Sequence, residues 1–155
     1  MNGHDPSRGT IAPASVDADR RLTLPAGSRA PGAARMVLGD WLCGQAPPGV
    51  IDDAQLVVSE LVTNSLEHAG VSSADTLRLS IGPVHGGVRV EVEDTGSDGV
   101  IAPRAPDLVS GGGFGLNVVA ALATRWGVDR DGTTRVWAEL TWPADALVGG
   151  EPPCP

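Results

Sequence analysis

Two polar residues stand on one face of the strongest helical pattern in the chain. Glu60 and Asn64 stand four residues apart, so they share one face of a helix, with His68 one turn further on. A carboxylate there can accept a proton or a hydrogen bond, and an amide oxygen can ligate a hard cation. Either is costly to bury without a partner. Further along, Asp94 and Gly96 follow the stretch Val88-Arg89-Val90-Glu91-Val92-Glu93. An Asp at a strand's end can accept from an amino group, and a Gly lets the backbone lie close to a flat ring. Gly111-Gly112-Gly113-Phe114-Gly115-Leu116 opens another helix pattern, where exposed N–H groups attract phosphate. Gly132-Thr133-Thr134 lies in a late turn. Taken singly, each has a plain structural explanation: a solvated helix face, a common turn, a linker, a hairpin.

The elements that must position these residues are legible from periodicity. Arg21 to Leu24 alternates before Pro25, which fits an edge strand. Residues 28–43 carry Ala33, Val37, Leu38, Trp41 and Leu42 at helical spacing. Residues 51–70 form the strongest helix pattern, with Asp52 or Asp53 as cap and Gly70 as stop. Its apolar residues cover most of the circumference, so it should be buried. Residues 76–81 and 88–92 alternate around His85-Gly86-Gly87, a hairpin. Residues 94–113 read as a long loop, and such loops are usually functional. Residues 114–126 read as a helix, and strands from Val128 and from 133 to 142 flank Asp131-Gly132. The expected fold is α+β, a two-layer sandwich with a mixed, mainly antiparallel sheet and helices on one face. Residues 1–19 and 144–155, rich in Gly, Pro and small polar residues, read as disordered tails around one domain at 20–143.

Composition removes several classes. All 11 basic residues are Arg and Lys is absent, which rules out a P-loop, whose Lys reaches the phosphates. The net charge of −8 argues against a nucleic-acid partner. Cys43 and Cys154 form no CxxC, so neither a zinc site nor a disulfide framework is expected. His4 and His85 fall in tail and turn and make no metal set with His68. No apolar run approaches the ~18 residues of a membrane span, and no signal peptide is visible. The protein is read as cytoplasmic.

The four signals occur in one order and resemble the nucleotide-site boxes of the histidine-kinase-like ATPase superfamily, the fold shared by gyrase, Hsp90 and histidine kinases. Within it the chain looks like the small anti-sigma-factor serine kinases. The resemblance runs from about Leu22 to Leu140. Val57-Val58-Ser59-Glu60-Leu61-Val62-Thr63-Asn64-Ser65 carries its most specific element, and Asp94-Thr95-Gly96, Gly113-Phe114-Gly115-Leu116 and Gly132-Thr133-Thr134 follow.

That likeness implies ATP with magnesium. Asn64 would ligate the ion and Glu60 would be the general base. Asp94 would accept from the adenine amino group, with Thr133 near the base and Gly96 against the ring. The N–H groups of Gly113, Gly115 and Leu116 would hold phosphate. Arg35 falls where such proteins carry a partner-contacting Arg. The implied partners are an anti-sigma-factor antagonist, phosphorylated on Ser or Thr, and a sigma factor; a homodimer is among the states the resemblance allows. The chain departs from the pattern in two places. Asp98 stands where a second Gly usually follows Gly96. Gly111 and Gly112 stand where an Arg often reaches the γ-phosphate, the nearest loop cation being Arg104. The alternative is a nucleotide-dependent binding module without kinase activity.

Overall fold

The computed structural model describes residues 19–68, 75–94 and 115–147. These residues form five strands and three α-helices in the order β1 (Arg20–Pro25), α1 (Ala30–Leu42), α2 (Pro48–His68), β2 (Thr76–Val84), β3 (Gly87–Asp94), α3 (Gly115–Leu122), β4 (Arg125–Arg130) and β5 (Thr134–Thr141). A short 3₁₀ turn, Ala144–Leu147, follows within the stretch read as a tail. The strand order is β1-β2-β3-β5-β4, and every described pair is antiparallel, so the expected mixed sheet is here wholly antiparallel. The fold is α+β, a two-layer sandwich.

Strand alternation divides the sheet into two chemically distinct faces. One inward row runs Leu22, Leu79, Val92, Val136, Val128 across all five strands. With Leu77, Ile81, Val88, Val90, Ala138 and Leu140 it meets the helices in one core. The opposite face carries Arg78, Glu93, Arg135 and Asp129 directly across from one another, alternating in sign. Arg78 pairs with Glu93, and Arg135 pairs with Glu91 and Glu93. Arg89 pairs with Glu91 and Glu139. Opposite-sign neighbours each contribute a few tenths of a kcal/mol, roughly 0.2–1. Trp137 lies flat over Gly127, whose missing side chain leaves the ring its place, and the Arg89 guanidinium stacks 3.9 Å from the ring centroid. Among the described residues no third layer covers this face.

In the helix layer α2 is central, packed between α1 and α3 and over β3 and β5. Ala54, Val57, Val58, Leu61 and Val62 are buried on it, as its pattern required. It starts earlier than expected. Pro48 opens it, since a Pro at the first helical position gives up only an N–H that has no intrahelical partner, and the N–H groups of Val50 and Ile51 bond Pro47 O. Asp52 and Asp53 are therefore exposed residues inside the helix and not its cap. Gly70 lies outside the described residues.

Two further expectations are corrected. The third helix ends at Leu122, not at residue 126, because Thr124 N–H bonds Glu139 O and carries the chain into the sheet. Trp126 and Val128 then turn inward with the period of a strand. Cys43, in the turn after α1, is disulfide-bonded, against the expectation from spacing. Spacing tests for clustered frameworks and says nothing about cysteines far apart in sequence.

Truncating the centre of α2 measures how much the layer depends on it. Leu61→Ala should cost about 2–5 kcal/mol, because the fully buried site cannot collapse around the missing atoms. Denaturant unfolding checks this, and a loss below 1 kcal/mol would mean that α2 is not the core of the layer.

Candidate functional site

The helical period sends α2's residues in three directions. Its apolar residues face the sheet. One flank turns to α1: Gln55 donates to Arg35 O at 3.1 Å, and buried Ser59 accepts from Arg35 Nη1 at 2.6 Å. The other flank carries Glu60 and Asn64 towards α3. The side chain of His68 lies outside the described residues.

Glu60 is half-buried and lies along the first residue of α3. A Cβ built on Gly115 would stand 2.7 Å from Glu60 Oε2 and 3.8 Å from its Cβ. Burial, and secondarily the charge of Glu67, raise the Glu60 carboxyl above its ordinary value. Asn64 is 8% exposed, and its buried Nδ2 has no hydrogen-bond partner among the described residues. Its neighbour Ser65 is fully buried, with its hydroxyl likewise unpartnered. Such groups cost about 1–3 kcal/mol each when left unsatisfied, so they mark a place where a ligand or water completes the structure.

Asp94 ends β3 and pairs in register with Thr134, the first residue of β5; both are 2% exposed. Thr133 precedes Thr134 in the turn made by Gly132, whose φ of 73° is a conformation that favours glycine. The second and fourth boxes therefore meet at one end of two adjacent strands. Leu116 is in the core, which anchors the first turn of α3 and leaves only its N–H for a ligand. Gly96, Gly113 and the neighbouring Thr95, Asp98, Gly99, Arg104, Gly111 and Gly112 lie outside the described residues.

The sequence reading missed Ser59, Ser65 and Gln55 as contributors. Ser59 and Ser65 fall at buried positions of an apolar helix pattern, and that misplacement was the available signal. A trough of about 640 Å³ lies on the opposite face of the sheet, lined by residues such as Arg21, Ser80, Gly82 and Glu91. None of the four boxes lines it, and three of its four Arg residues are already paired.

Among the described residues, α2 lays Glu60 against Gly115 at the start of α3, with Asn64 one turn further along, and Asp94 is buried at the end of β3. A family model for the histidine kinase-like ATPase domain matches residues 24–142. The chain belongs to that family and is an ATP-binding domain. A comparison with curated proteins finds no match. No helix among the described residues is long and apolar enough to cross a membrane.

The raised carboxyl has a thermodynamic signature. A group whose folded pKa is raised holds its proton more tightly in the folded state. Stability therefore falls as pH rises from the ordinary Glu range through the raised value, and stays at the lower level above it. Glu60→Gln removes that titration. Its thermal midpoint should exceed the parent's at pH 7.5, and the gap should close as pH drops below the ordinary Glu range. A gap of the same size at every pH contradicts the burial of this carboxyl.

Proposed function

We propose that this domain is a serine/threonine kinase and anti-sigma regulator, which phosphorylates an anti-sigma-factor antagonist and sequesters a sigma factor when the antagonist is phosphorylated. The observation that carries the reading is the α2–α3 flank: a half-buried carboxylate one helical turn from a nine-tenths-buried Asn whose amide nitrogen has no partner among the described residues.

The residues present fit ATP with magnesium. Asn64 would hold the ion through its amide oxygen, and Asp94 would accept from the adenine amino group with Thr133 beside the base. By the family resemblance, Gly96 would lie against the ring and the N–H groups of Gly113, Gly115 and Leu116 would hold phosphate. Magnesium, when bound, neutralises charge on the phosphate oxygens. Glu60 takes the proton of the antagonist's Ser hydroxyl as that oxygen bonds the γ-phosphorus and ADP leaves. Burial raises its carboxyl above the ordinary Glu range, which makes it a stronger proton acceptor than an exposed Glu.

Arg35 supports the regulatory half of the reading. It is exposed, and among the described residues it makes no ion pair; its hydrogen bond goes to the neutral Ser59 hydroxyl. Ser59 thus orients the guanidinium without neutralising it, which leaves the charge for a partner's carboxylate. The cytoplasmic location belongs to the same reading, since sigma factors act there. Gly111 and Gly112, in place of a loop Arg, favour the second reading, a module that binds nucleotide and partner without transfer.

Two variants test this proposal. Asn64→Ala should abolish magnesium-dependent ATP binding in calorimetry while the protein stays folded; unchanged affinity removes the metal ligand. Glu60→Gln should keep ATP affinity and capture of the sigma factor, yet lower radiolabel transfer to the antagonist by roughly 10²–10⁴-fold, the usual worth of a positioned base. If the parent protein transfers nothing, the binding-module reading replaces the kinase. If both proteins transfer equally, Glu60 is not the base.

A further inference from the structure

The contact between Glu60 and Gly115 makes a distinction that motif reading does not. A Gly at the start of a helix beside a nucleotide is ordinarily explained by its N–H, or by a backbone conformation closed to other residues. Neither explanation singles out Gly at position 115. An Ala carries the same N–H. Gly115 is not among the glycines of positive φ, which are Gly44, Gly86 and Gly132, so its backbone conformation is open to Ala. What Ala cannot share is the space. The Glu60 side chain runs along the bare Cα, with its Cδ 3.7 Å and its Oε2 2.7 Å from where a Cβ would sit. A methyl group there displaces the end of a flexible side chain, which moves more easily than backbone, so the helices keep their packing and the carboxylate gives way.

We infer that Gly115 is a positioning residue for Glu60: its missing side chain is the slot that holds the Glu60 carboxylate against the first turn of α3. The inference rests on the proposed base role of Glu60 for its catalytic consequence, but not for the contact itself. Two features of α3 sharpen it. Leu116 is buried in the core, which fixes the first turn and prevents α3 from backing away. The helix GLNVVAAL carries no titratable side chain, so the charged group that acts on Glu60 is Glu67, on its own helix.

The test is a double-mutant cycle of Gly115→Ala with Glu60→Asp, whose carboxylate is shorter by one methylene. Gly115→Ala alone keeps the backbone N–H, and its ATP affinity is measured beside its activity so that lost binding is separated from lost transfer. Its transfer to the antagonist should fall about 10²-fold, the scale of a misplacement of roughly 1 Å. Placed on Glu60→Asp, which has vacated the slot, Gly115→Ala should cost little more, so the two effects are not additive. A second readout needs no activity. In the nucleotide-free protein, NMR titration of the Glu60 side-chain carboxyl should give a lower midpoint in Gly115→Ala, because the group is pushed towards water. An unchanged midpoint, or additive losses in the cycle, overturns the slot. A lowered midpoint in a protein that transfers no phosphate upholds the slot and removes the kinase reading instead.

Discussion

Helix α2 is hemmed in on three sides, and that confinement governs the molecule. Sheet, α1 and α3 leave it a narrow outer stripe for solvent, on which Leu56 and Glu67 are exposed. Away from that stripe and from the exposed Asp52 and Asp53 near the helix start, a polar residue on α2 must find a partner or carry a cost. Gln55 and Ser59 find theirs in α1, at the Arg35 carbonyl and guanidinium. Glu60 lies against α3 with an elevated carboxyl. Asn64 Nδ2 and the Ser65 hydroxyl find none among the described residues. Two of the unsatisfied buried polar atoms thus lie on the helix that also carries Glu60, the proposed base, and a third, Asp94 Oδ2, lies at the end of β3.

The sheet serves this arrangement by keeping its two faces apart. Its inward rows are apolar across all five strands and support α2 from below, while the outward rows satisfy one another through Arg–Glu pairs and the Trp137–Arg89 stack. Asp94 is an exception in kind, a buried acid at the inner end of β3. It sits in register with Thr134 because β5, and not β4, is the neighbour of β3. The crossover that places β5 centrally is what unites the second and fourth boxes.

One α2 therefore joins two surfaces. Its α3 flank carries the groups proposed for phosphoryl transfer, and its α1 flank holds the Arg proposed for partner contact, with Ser59 and Glu60 adjacent in the chain.

The sequence by itself determined a good deal. Period 3.6 in residues 51–68, period 2 in β2, β3 and β5, and the glycine turns at Gly86 and Gly132 each depend on neighbours within a few residues, so the elements and the order of the four boxes were readable. The same locality explains the errors. Asp52 and Asp53 looked like a cap because capping residues are common, but Pro47 and Pro48 had already set the start. Residues 123–126 looked helical until the bond from Thr124 to Glu139 claimed them for the sheet. Only the tertiary structure decided that Gly115 is the seat of Glu60, that Arg35 is tied to Ser59, and that Asp94 faces Thr134. Those contacts join segments 24 to 55 residues apart, and which side chains meet depends on how whole elements pack, information that no local pattern carries.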